Sequence, residues 1–194
     1  MILRINCKFL SLKEQCSLFP EFGNSLPINH YVRKNIAYLY SFKKGVKRIV
    51  ETDDDNYPLD NFLSRKSKYC KCDLVSGTQW INIYKLFSES ESQLMWPRGF
   101  PLEVIKQQIK YQIIENQSIF APVQQGLAND NPDVDAIYRM VNKLPISFSD
   151  LKEFALNDFS WCPFNSQVTT WFQEAFPLMY LPSSCTFRMT DIWR

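Results

Sequence analysis

Arg48-Ile-Val-Glu-Thr-Asp-Asp-Asp-Asn56 carries a short apolar stretch straight into three consecutive aspartates, and its reading decides the fold. Val46 to Thr52 is short and β-branched, which predicts a strand. Upstream, Tyr31 to Lys44 reads as a helix with Val32, Ile36, Leu39 and Tyr40 on one face and Lys34, Ser41 and Lys43 toward the other. Gly45 stands where a helix C-terminal cap belongs. Helix, glycine stop, strand and acidic loop make half of a parallel crossover unit. The expected class is therefore α/β, with the aspartates at the sheet edge where such folds bind ligands. Pro58 keeps the loop from continuing as a strand.

Hard divalent cations take oxygen ligands, and three adjacent carboxylates repel one another until a cation or basic groups relieve the repulsion. If strand geometry persists through the motif, Asp53 and Asp55 point to one side and share one Mn²⁺ or Mg²⁺, while Asp54 turns toward a sugar hydroxyl. The competing reading is a surface turn, because Asp and Asn side chains hydrogen-bond their own backbone.

The 194 residues are 45% hydrophobic and 15% aromatic, enough for a folded core and against disorder. A net charge of +2, with lysines and arginines scattered, gives no electrostatic footprint for DNA or RNA. No apolar run approaches the ~18 residues of a membrane span, and Met1 to Leu12 is too polar for a signal peptide. Six dispersed cysteines make no disulfide framework, and Cys70-Lys-Cys72 lacks the spacing and partner pair of a zinc site. Asn116-Gln-Ser118 fits the N-glycosylation pattern. With no repeat or linker, residues 1–194 read as one domain.

Further along, Leu74 to Phe87 is expected to hold a strand and a turn around Trp80-Ile-Asn-Ile-Tyr84. Trp96-Pro-Arg-Gly-Phe-Pro101 must be an ordered loop, since two prolines and a glycine exclude helix while two aromatic rings need burial. That loop would project Arg98, a natural diphosphate clamp or a solvated arginine. Asp133 and Asp135 precede the helix-capable Ala136 to Val141 and read as caps or as ligands. Cys162-Pro-Phe-Asn-Ser-Gln-Val-Thr-Thr-Trp171 mixes amides and hydroxyls with aromatics. Asn165 and Gln167 are candidate donor-binding groups, although turns have this composition too; the aromatics read mostly as core, with Trp161 or Trp171 the ring on which a sugar would stack. Ala175 to Leu181 reads as a buried apolar element, and the lone His30 as a cap or packing residue.

Taken in order, these motifs resemble the STELLO-type glycosyltransferases, whose plant members are Golgi proteins linked to cellulose synthase assembly. The resemblance runs through Tyr31-Val-Arg-Lys-Asn-Ile-Ala-Tyr-Leu-Tyr40, Gly45, Glu51 to Asn56, Trp96-Pro-Arg-Gly-Phe-Pro-Leu102, Gln125-Gly-Leu127, Pro132-Asp-Val-Asp135, Pro163-Phe-Asn-Ser-Gln167, Leu181-Pro182 and Asp191. A weaker likeness links the acidic triplet, Pro-Asp-x-Asp and the terminal Asp-x-Trp to the reversibly glycosylated polypeptides, which are UDP-arabinopyranose mutases. Both families imply a GT-A-like nucleotide-diphospho-sugar transferase fold using Mn²⁺ or Mg²⁺. Carried over, Asp53 and Asp55 would hold metal and diphosphate, Asp54 would meet the ribose, Arg98 would lie near the donor, and Asp191 would be the catalytic carboxylate. Golgi attachment is a further implication of the resemblance.

Two departures qualify the match. Only ~30 residues precede the Arg33 motif where a GT-A domain places its nucleotide-base half-site, and the chain stops directly after the last motif, so a partial domain is expected. Glu51-Thr-Asp53 stands where the plant members resemble Asp-Ala-Asp, leaving both Glu51 with Asp53 and Asp53 with Asp55 as metal pairs. The expected function is metal-dependent transfer of a hexose from a nucleotide-sugar donor to a glycan or protein acceptor. The alternative is a non-catalytic glycosyltransferase-like factor that assists a polysaccharide-synthase partner. A sugar nucleotidyltransferase fits less well, because no Gly-rich phosphate loop lies near the start.

Overall fold

Local signals at the amino end translate directly into structure. In the computed structural model, which describes residues 7–77, 79–88, 94–107, 110–149 and 152–192, the first helix α1 (Leu12–Leu18) opens with a capping box. Ser11 Oγ accepts from Glu14 N–H at 3.3 Å, and Glu14 Oε2 accepts from Ser11 N–H at 2.9 Å. The Ser11 hydroxyl, donating to Glu14 Oε2 at 2.7 Å, and then the Ser11 N–H hold the Glu14 carboxyl below its ordinary range. Helix α2 (Pro20–Ser25) starts on proline, whose missing N–H costs nothing there.

His30 Nδ1 accepts from Val32 N–H at 3.1 Å, capping a 3₁₀ turn, Tyr31–Arg33, that leads into α3 (Lys34–Lys43). The predicted helix and its stop are both present. Gly45 has φ +69° and its N–H donates to Phe42 O, while Val46 N–H reaches Ser41 O, the two bonds of a Schellman ending. The buried positions are Val32, Asn35, Ile36 and Tyr38, with Leu39 and Tyr40 half-buried. Asn35 enters the core because its amide acts as a backbone mimic, donating to Leu181 O at 2.8 Å and accepting from Leu181 N–H at 2.9 Å.

The chain forms two compact units, Met1–Val46 with Pro177–Arg194, and Lys47–Phe176. The second unit holds, in chain order, β1 (Arg48–Thr52), β2 (Tyr69–Ser76), α4 (Ile83–Leu86), β3 (Gln112–Phe120), β4 (Val123–Gln125), α5 (Ala136–Val141), β5 (Phe154–Leu156) and β6 (Val168–Phe172). Two three-stranded sheets result, ordered β1-β6-β4 and β3-β2-β5. The class is thus mixed α and β with small sheets.

The parallel crossover expected around β1 is not what the strand makes. Its partner is antiparallel β6, with Arg48 opposite Phe172 and Thr52 opposite Val168, and β4 joins β6 antiparallel as well. Helix α3 belongs to the other compact unit. Among the described strands, parallel pairing occurs between β2 and β5. The strand expected within Leu74 to Phe87 begins earlier, at Tyr69, and ends at Ser76. Trp80 makes only an isolated bridge to Trp161, and Ile83 to Leu86 is helical. A bulge after Cys72 leaves Asp73 Oδ1 to accept from Asn116 N–H at 3.0 Å, with Asn116 at φ +57°.

Tyr84, Met95, Val134, Tyr138 and Ile146 form a core cluster, with Trp96 and Phe148 packed against it. The Trp96–Pro101 loop is ordered as expected: Trp96 Nε1 donates to Phe100 O at 2.9 Å and Phe100 is buried. Ala175 to Leu181 is not buried throughout. Gln173–Met179 winds as a 3₁₀ helix, and over this stretch Ala175, Met179 and Leu181 are buried while Leu178 and Tyr180 are exposed.

Candidate functional site

At one end of the β1-β6-β4 sheet, three connections converge because antiparallel pairing brings the end of β1, the start of β6 and the end of β4 together. The acidic residues leave β1, the amide loop enters β6, and Gln125-Gly126 leaves β4. Strand geometry does not persist through the aspartates. Asn56 N–H donates to Asp53 O at 3.4 Å, closing a turn with Asp54 and Asp55 at its tip, so the alternation argument for Asp53 and Asp55 does not apply. Asp53 is half-buried, whereas Asp54 and Asp55 are exposed and have no lysine or arginine partner among the described residues.

The turn is fastened to the amide loop. Asn56 Nδ2 donates to Gln167 O at 2.9 Å, and Asn165 Oδ1 accepts from Gln167 N–H at 3.2 Å, an Asx turn that orders the loop. Asn165 O accepts from Gln125 Nε2 at 2.7 Å and from Thr169 Oγ1 at 3.0 Å. Gly126 packs so tightly that an added Cβ would stand 2.8 Å from Val168 Cγ1. Its N–H donates to Val168 O at 2.8 Å. Asp53, Asp54, Asp55, Asn165 and Gln167 are therefore brought to one sheet end.

Glu51 lies inside that sheet. It is 4% exposed, and its Oε2 accepts from Trp171 Nε1 at 2.9 Å. Trp171 is 2% exposed and packs on Phe164 with ring centroids 5.3 Å apart, so Trp171 is a core residue. Trp161, by contrast, is 63% exposed.

Arg98 is placed elsewhere in the same unit. Its Nε and Nη2 donate to the two carboxylate oxygens of Asp133, each at 2.7 Å, and its N–H reaches Asp133 O at 3.2 Å. Tyr84 Oη donates to the same carbonyl at 3.1 Å, and burial pushes the Tyr84 phenol well above its usual range. Asp133 is thus a salt-bridge partner and not a cap. Asp135 does cap α5, its Oδ1 accepting from Ile137 N–H at 2.8 Å. Asp191 belongs to the other compact unit and is 5% exposed in the turn that follows Thr186.

Sequence reasoning quoted Asn56 and Gln125 within motifs without giving them a role, and passed over Arg65. Arg65 Nη2 lies 3.5 Å from Gln125 O, and the guanidinium has no acidic partner among the described residues. No local signal distinguishes Arg65 from the other bases near it, since its position follows from the pairing of β4 with β6. All six cysteines are free, and burial raises the Cys162 thiol to about 11 and contributes first to a similar rise at Cys72. Among the described residues, no three His, Cys, Asp or Glu side chains converge as a metal cage.

No protein-family model matches the chain. The probable glycosyltransferase STELLO1 of Arabidopsis thaliana is 28% identical over 209 residues, covering 96% of this chain and 26% of the relative. The probable glycosyltransferase STELLO2 of the same plant is 28% identical over 215 residues, with the same coverage. This likeness supports a STELLO-type family assignment. The STELLO-like chain spans about a quarter of the length of the curated relatives it matches. Among its described residues, no helix is long and apolar enough to cross a membrane.

Proposed function

We propose that this STELLO-like chain is a metal-dependent glycosyltransferase module that uses a nucleotide-sugar donor on a GT-A-like nucleotide-diphospho-sugar transferase fold. The observation that carries the reading is the 2.9 Å bond from Asn56 to Gln167 O, which joins the acidic turn to the amide loop at one sheet end. The likeness to two proteins named as probable glycosyltransferases supports it. Asp53 and Asp55 would hold Mn²⁺ or Mg²⁺, since Glu51 is engaged with Trp171 inside the sheet. Such an ion supplies charge neutralisation on a departing diphosphate.

In this reading the protein's own groups bind and orient. Asp54 meets the ribose, Asn165 and Gln167 order the donor loop, and Arg65 adds a cationic group beside Gln125. Arg98 holds the Trp96–Pro101 loop through Asp133, and its contact with the donor is tested below. The role of base toward the acceptor hydroxyl stays with Asp191 only as what the family resemblance implies, since that residue belongs to the other compact unit.

The test is calorimetric titration of UDP-glucose, UDP-galactose and GDP-mannose into the protein, with Mn²⁺ and with chelator. Metal-dependent binding of one of them is expected and names the donor class. A folded protein that binds none would instead favour a non-catalytic glycosyltransferase-like factor.

A further inference from the structure

Residues two apart on a strand put their side chains on the same face, so Cys70 and Cys72 of β2 stand beside each other with Lys71 between them in the chain. Their sulfurs lie 3.9 Å apart, and both are free thiols. Cys72 is 8% exposed, whereas Cys70 is half-buried with its sulfur 3.9 Å from Ile119 O. Among the described residues, no third His, Cys, Asp or Glu joins them as a metal ligand set. What two thiols in contact can do without further groups is join to each other.

The backbone lets them close. Residues two apart on a strand have Cα atoms about 6.4–6.8 Å apart, the upper end of the ~4.4–6.8 Å that a disulfide bridges. A small pucker of the strand therefore brings the sulfurs from 3.9 Å to the ~2.05 Å of a bond. This part of β2 is free to pucker because it is held from one side. Tyr69 to Cys72 pair with Phe120 to Gln117 of β3, whereas the pairing with β5 starts at Asp73. The register shift between Cys72 and Leu74 already interrupts the ladder directly after the pair.

We infer that Cys70 and Cys72 are a dithiol redox site, which reacts with a small-molecule disulfide of the glutathione type and closes as an intramolecular disulfide. Cys70, the more exposed of the two, opens the reaction: its thiolate attacks R–S–S–R, the Cys70–S–S–R bond forms and RS⁻ leaves. Cys72 then attacks the Cys70 sulfur, the Cys70–Cys72 bond forms and the second RS⁻ leaves. The two thiol protons pass to the two released thiolates. The protein thus loses two electrons and two protons, and one R–S–S–R becomes two R–SH. Burial first, and the neighbouring Cys70 next, push the Cys72 thiol up to about 11, which fits the second attack and not the first. Because the sulfurs already touch, the second step is intramolecular and outruns accumulation of the mixed disulfide. Closure disturbs the Lys71–Ser118 rung between β2 and β3, so oxidation loosens that end of the sheet.

The test incubates the full chain with oxidised glutathione, unfolds it, blocks the remaining thiols with iodoacetamide and maps the cysteines by peptide mass spectrometry. The expected product is a peptide holding Cys70 and Cys72 that is lighter by two hydrogens, carries neither glutathione nor blocking group, and returns to two thiols with dithiothreitol. Cys72→Ala should stop at the intermediate, with glutathione retained on Cys70, and Cys70→Ser should leave Cys72 unreacted. In the oxidised native chain, amide exchange should speed up across Tyr69 to Cys72 and Gln117 to Phe120 and stay as it was in β6; unchanged exchange in the first two would overturn the loosening. The native chain decides the site by itself, even where a variant fails to fold. If, while folded by its melting curve, it keeps both thiols, holds glutathione on Cys70 without closing, or bridges either cysteine to a third, the redox site is overturned.

Discussion

Trp171 Nε1 donates to Glu51 Oε2 across 2.9 Å, a bond between neighbouring strands that sits two residues before Asp53. Glu51 faces Thr169 in the register, and Trp171 faces Ile49, so the pair is diagonal on one sheet face. This places a buried carboxylate inside the sheet, two residues before Asp53.

Trp171→Phe removes one hydrogen-bond donor to that buried carboxylate and should cost about 1–3 kcal/mol. In urea denaturation, Trp171→Phe combined with Glu51→Gln should cost less than the two single changes added together. Strict additivity would show that the bond contributes little.

Arg98 and Asp133 make a two-pronged pair with side chains about one-fifth exposed. Lysine cannot reproduce the fork. Arg98→Lys should therefore lower stability by about 1–3 kcal/mol. Comparing its donor affinity with its melting curve decides the second role: affinity lost in a still-folded variant assigns Arg98 to the donor, and unchanged affinity assigns it to the loop frame alone.

Asp55 is exposed at the turn tip, so Asp55→Ala should shift stability by no more than about 0.5 kcal/mol. Asp55→Ala and Asp53→Ala should nonetheless each abolish Mn²⁺-dependent donor binding by calorimetry. Arg65→Ala should weaken donor binding and leave the metal dependence in place. Full binding by both aspartate variants would remove the acidic turn from the proposed site.

Burial raises the Cys162 thiol to about 11 from an ordinary value of 9.0. The folded state thus disfavours the thiolate. This contribution to stability is fully present below about pH 9 and is lost as pH rises toward 11. Thermal melting should be flat through neutral pH and fall across that window, and Cys162→Ala should fall less steeply than the native chain. Parallel curves would mean that the thiol is solvated.

Much of the fold was legible in local sequence. The helix of Lys34–Lys43 and its glycine ending follow from side-chain periodicity and from the positive φ that Gly45 tolerates, both properties of a few adjacent residues. The rigid Trp96–Pro101 loop follows from its prolines and its glycine in the same way. Strand partnership does not, because antiparallel and parallel pairing draw on the same β-branched pattern, and β6 reaches β1 from more than a hundred residues away.

The sequence by itself determined which side chains have the chemistry: aspartates for a cation, amides for hydroxyls, and tryptophans for a sugar face. Only the tertiary structure decided which of them share a place. It set the acidic turn against Gln167, sent Trp171 inward to Glu51 and left Trp161 outside, and closed Arg98 on Asp133. Side-chain chemistry is a property of each residue, whereas exposure and partnership depend on contacts between segments far apart in the chain.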